Sequence, residues 1–336
     1  MVLLFHAEPD LGRWVHLGYT GVALFFVLSG FLITGILMDS RKAVNYFRSF
    51  YARRALRIFP VYYWTLLFLF LIVPWVFPTA GIPPAHDRIF YLLYLNNWTR
   101  FLHEPNNLPY AGHLWSLSVE EQFYWLWPLV IFRTPERALK WICVGAMILG
   151  IGVAVYLSHA GASSDSIGRN TFVALPSLML GALCAIFFRH PPAVAHMKRW
   201  SRSILLIGFG LAAFFAISSR SRYNGSSIGW FSGMGLNLAF AIFLLSAMLG
   251  PAVYRRFLAL GPLRKIGRYS YGMYVYHIPF YTFFNHSHLF SPGPIRAFVR
   301  IVLVFILAAL SYEILEKRIN SLKDNFRTKY SASSTV

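Results

Sequence analysis

Nine apolar runs, each 16 to 21 residues long, dominate this chain of 336 residues and restrict what it can fold into. A membrane-crossing α-helix needs about 20 apolar residues, so each run is close to the required length. In hydrocarbon every backbone polar group must find a partner within the protein, and runs of this length achieve that as helices. We therefore predict an all-α fold, a polytopic transmembrane helical bundle, with nine complete spans at residues 20–38, 58–77, 114–132, 141–158, 171–188, 203–218, 229–249, 269–284 and 297–315.

The composition excludes a soluble domain and argues against a nucleic-acid partner. The chain is 57% hydrophobic and only 13% charged, whereas soluble domains have about 25% charged residues. The net charge of +19 resides mainly in short loops between apolar runs, which is typical of membrane topology. Cys143 and Cys184 both lie inside apolar runs and form no spaced framework. We expect membrane lipid as a partner, no nucleic acid, no disulfide and no metal.

The basic residues also predict an orientation. If the loop at 39–57 is cytoplasmic, strict alternation places 23 of the 31 lysine and arginine residues on the cytoplasmic side. This bias follows the positive-inside rule and predicts a cytoplasmic C-terminus, with the bacterial inner (plasma) membrane as location. Residues 1–318 then form the membrane domain. Residues 319–336 are expected to be a cytoplasmic polar tail without stable structure.

The first six residues are apolar but far too few to cross a membrane. They lack the basic start and the small-residue cleavage site of a secretory leader. We interpret them as part of a truncated first helix, with His6 near its outer end, which brings the predicted total to about ten helices.

Residues 113–124 combine an apolar run with ionisable groups, which are expensive in hydrocarbon and usually functional there. If this segment is one α-helix, His113 and Glu120 share a face about 10 Å apart, and Glu121 points about 100° away from Glu120. The alternative interpretation is the wet end of a span, with both carboxylates among lipid headgroups.

A basic and aromatic segment, residues 47–60, precedes the second span. On a helix Arg53 and Arg57 lie on one face and Arg54 is their neighbour. Arginine suits bidentate phosphate contacts, so the cluster is a candidate site for a phosphate-bearing cofactor. The alternative is an anchor to lipid headgroups, which composition alone favours.

Two further features carry weaker signals. Ser29 and Gly30 offer a small surface for close helix packing. His277 lies near the middle of an apolar run that is rich in tyrosine. It is interpreted either as a buried histidine bonded to a neighbouring tyrosine or as a functional group.

Taken in order, these pieces resemble the acyltransferase 3 family of integral membrane O-acyltransferases. The matching segments are residues 5–7, 21–31, 50–60, 113–124, 269–279 and 316–318. The resemblance implies about ten spans and the transfer of an acyl group, usually acetyl from acetyl-CoA, to a hydroxyl of a glycan, glycolipid or glycoside. It also implies a membrane part without the SGNH-type C-terminal domain that some members carry.

The resemblance further implies roles for individual residues. His6 matches the essential first-helix histidine, and Arg53, Arg54 and Arg57 match the basic cytoplasmic motif. The family has an arginine ten residues before this histidine, so we expect the reading frame to extend upstream of Met1.

The hypothesis for the chemistry has His6 as general base. Glu120 or Glu121, with Glu120 slightly favoured, would hold its tautomer. Acyl-CoA phosphates would bind at Arg53, Arg54 and Arg57. We assign the following residues to the acceptor substrate: His113, Trp115, Ser116, Tyr276 and His277.

The alternative function is a secondary transporter or flippase that uses intramembrane histidine and glutamate as a proton relay. Such transporters often show an internal repeat, and none is visible in this sequence.

Overall fold

The computed structural model describes residues 2–8, 20–76, 84–102, 110–218, 228–286 and 291–330. Throughout these ranges the regular secondary structure is helical, which confirms the predicted all-α fold. π turns lie at Phe68–Ile72 and Tyr312–Glu316, and 3-10 turns lie at Asn96–Trp98, Gly112–Leu114 and Leu322–Phe326. The α-helices are α1 (Val2–Ala7), α2 (Gly21–Ser40), α3 (Tyr46–Leu67), α4 (Val73–Val76), α5 (Ala85–Leu92), α6 (Thr99–Leu102), α7 (Trp115–Arg133), α8 (Glu136–His159), α9 (Ser164–Arg169), α10 (Thr171–Phe187), α11 (Pro191–Arg199), α12 (Ser201–Ser218), α13 (Ile228–Leu249), α14 (Ala252–Leu258), α15 (Gly261–His286), α16 (Pro294–Ser311) and α17 (Lys317–Ser321).

Where the structure describes them, the nine apolar runs are helical over most of their lengths, but the predicted number of complete spans is not confirmed. By length and apolar composition four described helices could cross a membrane, or up to six if two bent pairs each count as one span. The bent pairs are α10 with α11, at 101°, and the Met234–Leu249 part of α13 with α14, at 105°. The four helices are Gly21–Ser40, Tyr46–Trp75, Glu136–His159 and Pro294–Phe326.

The chain divides into two compact units. The first consists of Met1–Tyr19, Ser40–Ser118 and Arg264–Val336, and the second of Thr20–Asp39 and Val119–Leu263. Apolar side chains of α1, α15 and α16 form one core of the first unit, because each helix presents small or aromatic residues to the others. These residues are Ala7, Met273, Tyr281, Ala297, Val304 and Ala308.

The polar segment that begins within α17 differs from its prediction. Residues 319–329 were expected to lack stable structure, but hydrogen bonds to their main chain hold them against the start of α3. The Ser49 hydroxyl donates to the Phe326 carbonyl at 2.8 Å, and the Asn45 amide donates to the Arg327 carbonyl at 2.9 Å. Two polar side chains distant in sequence supply these bonds, so the local polarity of the segment gave no sign of them. Residues 331–336 lie outside the described residues.

In the second unit α2 and α10 pack backbone against backbone. A Cβ atom at Gly30 would collide with the Leu178 carbonyl, and one at Gly181 would collide with the Val27 carbonyl. This reciprocal fit confirms the close packing predicted for Gly30. Both cysteines of this unit are buried and free.

Candidate active site

Three histidines form a row in the first unit. Nδ1 of His6, in α1, lies 3.3 Å from Nε2 of His277, in α15. The His277 ring is 4.8 Å from that of His113, centroid to centroid. His277 is fully buried, His113 is buried and His6 is half-buried. Within the described part of the chain no three His, Cys, Asp or Glu side chains are arranged to hold a metal ion.

The hydrogen bonds of the row select the tautomers of two imidazoles. His6 Nδ1 lies 3.1 Å from the carbonyl of Val2, which can only accept, so Nδ1 carries the proton. His277 Nδ1 likewise bonds the carbonyl of Tyr274, which leaves the lone pair of its Nε2 facing His6 Nδ1. In neutral His6 the basic lone pair is therefore on Nε2.

Pro279 explains why His113 meets α15 at this level. Proline has no N–H, so the carbonyl four residues earlier, that of Val275, loses its helical donor. His113 Nε2 lies 2.9 Å from this carbonyl and replaces the missing donor. A proline four residues after Val275 thus fixes the position and the protonated nitrogen of His113.

The other predicted acceptor residues divide into two groups. Ser116 lies beside His113, because the Tyr274 hydroxyl bonds both the Ser116 hydroxyl and the His113 carbonyl. Trp115, half-buried, is adjacent in sequence. Tyr276 instead bonds the Ser311 hydroxyl at 2.7 Å, so its phenol reaches α16 rather than the histidine row.

The two predicted carboxylates lie in the second unit and are both buried. Glu120 accepts hydrogen bonds from the hydroxyls of Ser29 and Tyr124. The prediction that one carboxylate orients His6 stays a prediction. The assumed continuous α-helix from His113 to Glu120 is wrong, because His113 lies in the 3-10 turn Gly112–Leu114 and α7 begins at Trp115.

The predicted basic site lies on α3, in the first unit. Arg53, Arg54 and Arg57 are in one α-helix, and all three interact electrostatically with Lys323. Arg57 and Lys323 also interact with Glu316, a carboxylate that is buried at the end of the π turn. We call these five residues the arginine cluster.

Helix α15 connects the arginine cluster to the histidine row. The Tyr271 hydroxyl donates to the carbonyl of Ile58, the residue after Arg57, at 2.8 Å. A Cβ atom at Gly272 would lie 3.5 Å from the Glu316 carboxylate. His277 follows five residues later, about 7.5 Å farther along the helix axis.

A second charged group, missed from the sequence, holds the end of α1. Glu8 accepts two hydrogen bonds from Arg296, from Nε at 2.6 Å and from Nη2 at 2.7 Å. Arg300 donates to the carbonyl of Ala7, the residue after His6, and to Asn285. Its guanidinium also lies over two aromatic rings. We call Glu8, Arg296 and Arg300 the Glu8 cluster.

Glu8 follows the end of α1, outside the apolar runs. The hydrogen bond from Arg296 is the largest cause that lowers the pKa of its carboxyl, and burial opposes the shift. A carboxylate two residues after the predicted base was visible in the sequence, but its two arginine partners are almost 300 residues away.

The family model described as "Acyltransferase domain" matches residues 1–313. The O-acetyltransferase OatA of Staphylococcus aureus is 29% identical over 94% of this chain and 54% of its own length. The peptidoglycan O-acetyltransferase OatA of Listeria monocytogenes is 28% identical over 90% of this chain and 51% of its own. A putative O-acetyltransferase of Staphylococcus aureus is 25% identical, with 94% and 54% covered.

The chain thus spans about half the length of these relatives. No solved structure matches the chain. The long apolar helices and the family match make this an integral membrane protein. The resemblance predicted from the ordered motifs is confirmed, and the chain belongs to the acyltransferase 3 family.

Proposed function

We propose that this protein is a membrane O-acyltransferase that moves an acetyl group from acetyl-CoA to a hydroxyl of a cell-envelope glycan or glycolipid. The observation that carries the proposal is the arrangement along α15. A histidine with a fixed tautomer lies at one level, and a cluster of cations lies about one and a half helical turns away. The names of the relatives, O-acetyltransferase and peptidoglycan O-acetyltransferase, support the acetyl group and the glycan acceptor.

His6 acts as general base through Nε2. The acceptor hydroxyl oxygen attacks the thioester carbonyl carbon while Nε2 takes the hydroxyl proton. The C–S bond then breaks, the CoA thiolate leaves, and the imidazolium returns the proton to sulfur. The Val2 carbonyl and His277 Nε2 hold Nδ1–H in place, so the reacting nitrogen does not exchange roles during the cycle.

The remaining predicted residues position the reactants. Glu120 or Glu121 stabilises the imidazolium of His6, as a carboxylate does in other base–carboxylate pairs. His113, Trp115 and Ser116 contact the acceptor, with His277 behind them. Tyr276 also contributes to the acceptor site, through the Ser311 hydroxyl to which its own hydroxyl is hydrogen-bonded.

Arg53, Arg54 and Arg57 bind the CoA phosphates. Guanidinium groups match phosphate oxygens bidentately, and the nucleotide is too polar to enter hydrocarbon. The thin pantetheine arm extends along α15 towards His277 and presents the thioester to His6. The excess of basic residues in alternate loops supports a cytoplasmic position for this cluster and for the C-terminus, and the proposed location is the inner (plasma) membrane.

Vesicles that contain the full chain, radiolabelled acetyl-CoA and a glycan acceptor test the proposal. We expect label in the carbohydrate product, and a loss of about 10² to 10⁴ in rate for His6→Ala. His159→Ala is the matched control, because His159 is exposed at the end of α8 and should leave the rate unchanged. A wild-type rate in His6→Ala would refute the mechanism.

A further inference from the structure

The C-terminal strap (residues 322–329) is fixed to the start of α3 mainly by its own backbone. The carbonyls of Phe326 and Arg327 accept from Ser49 and Asn45, and the Lys329 N–H donates to the Asn45 side-chain oxygen at 2.9 Å. The Lys329 carbonyl in turn accepts from the Val44 N–H at 3.0 Å. Because main-chain atoms of the strap make these bonds, its backbone should keep the same conformation when its side chains are substituted.

This path brings Lys323 into the arginine cluster. Lys323 is half-buried and interacts electrostatically with Arg53, Arg54 and Arg57. Like charges this close repel one another, and the low dielectric of a half-buried site strengthens the repulsion. Among the charged groups that act on Lys323, three are arginines and one, Glu316, is a carboxylate.

We propose that the strap completes the donor site and that Lys323 binds a phosphate group separate from the one held by the arginines. A compact ammonium suits a single phosphate monoester, whereas the arginine forks suit a diphosphate. The ligand class is therefore a nucleotide with a diphosphate and a second, separate phosphate, as in CoA with its ribose 3′-phosphate. This inference rests on the proposed acyl-CoA site.

A lipid anchor would not need this arrangement. A lysine that snorkels to headgroups extends away from the protein into water, but Lys323 is half-buried against α3 on an ordered strap. A group of four cations attracts multiply charged anions, which favours a soluble polyphosphate as ligand.

The test compares CoA with dephospho-CoA, which lacks the 3′-phosphate, by calorimetry on the full chain in nanodiscs of phosphatidylcholine. We expect the wild type to prefer CoA by roughly 10- to 100-fold, the value of one charge-assisted contact. Lys323→Ala should lose this preference while it keeps its affinity for dephospho-CoA, and Lys323→Arg should retain part of it.

Lys329→Ala is the matched control, because this lysine lies on the same strap with an exposed side chain. It should bind both ligands as the wild type does. A Lys323→Ala variant that still prefers CoA overturns the proposed role of Lys323. If the double variant Arg54→Glu/Arg57→Glu loses both ligands in that case, the donor site remains supported and Lys323 is not part of it. If the wild type binds neither ligand, the proposed function itself fails.

Discussion

The Glu8 cluster and the arginine cluster both contain arginines, but they are built in opposite ways. In the Glu8 cluster, Glu8 and Arg300 are each 2% exposed, and Glu8 and Arg296 make a two-pronged ion pair. In the arginine cluster Arg53 and Arg57 are exposed, and four cations accompany one described carboxylate. The first holds one buried carboxylate between two arginines, whereas the second gathers four cations, two of them exposed, around one carboxylate.

The two clusters lie towards opposite ends of one continuous helical segment. Arg300 is in the second turn of α16, and Glu316 ends the π turn that follows it, 16 residues or about 24 Å later. We infer that the Glu8 cluster holds α1 in position, and that the arginine cluster attracts an anionic ligand. The difference separates structural from binding roles, and four experiments test it.

The largest effect is expected for Glu8→Ala. The change leaves Arg296 and Arg300 without their carboxylate in a buried site, which should cost about 3–5 kcal/mol. Thermal unfolding in detergent micelles measures the loss. Asp39→Ala is the control, since Asp39 pairs with Arg189 at the same 2.6 Å but is 71% exposed. The control should lose no more than about 1 kcal/mol of unfolding free energy. Equal losses in the two variants would contradict the proposed difference between buried and exposed ion pairs.

The second experiment reverses one charge in the arginine cluster. Arg57→Glu should weaken CoA binding by about 1.5–3 kcal/mol, because it removes a charge-assisted contact to phosphate. The unfolding temperature should stay near that of the wild type. Calorimetry on the full chain gives the affinity, and Arg133→Glu on α7 serves as a control outside the cluster. An unchanged affinity would favour the alternative interpretation, in which the cluster anchors the protein to lipid headgroups.

The third experiment keeps the charge and changes only its geometry. Arg296→Lys should cost roughly 1.5 kcal/mol of stability, because a lysine cannot replace both bonds to Glu8. Arg57→Lys should alter stability by less than about 0.5 kcal/mol, as for most surface substitutions. Thermal unfolding curves of the two variants, recorded under the same conditions, compare the two losses of stability. A larger loss for Arg57→Lys would contradict the comparison.

The smallest effect is a dependence of stability on pH. The pKa of Glu8 lies below its ordinary value of 4.5 in the folded protein. Its ion pair therefore contributes fully above pH 4.5, and the contribution is lost as the pH falls through the lowered pKa. Unfolding temperatures should decline over this acid range in the wild type. The decline should be shallower in Glu8→Gln, and identical curves would exclude Glu8 as the cause.

Much of the fold was predictable, because apolar runs of 16 to 21 residues leave a chain few alternatives to helices. The number of spans was not. Helices α7 and α15 are long, but they carry carboxylates or basic residues among their apolar ones. Long apolar runs predict that a helix forms, whereas its ability to cross a membrane also depends on whether other parts of the protein cover the polar side chains of that helix.

The site was predicted in part. Local spacing was enough to place Arg53, Arg54 and Arg57 together, because one helix carries all three. The contact between His6 and His277 joins residues 271 positions apart, and no local pattern encodes it. The same holds for Lys323, which reaches the cluster through a strap whose polar sequence predicts only a solvated tail.

Pro279 makes α15 depend on a neighbouring segment for its own backbone hydrogen bonding. A helix normally satisfies its internal carbonyls, but α15 cannot, because the proline leaves the Val275 carbonyl without its helical donor. A buried carbonyl without a donor costs about 1–3 kcal/mol, and the hydrogen bond from His113 avoids this cost. The stability of α15 is therefore tied to the 3-10 turn that carries His113, so a change that displaces this turn should also weaken α15.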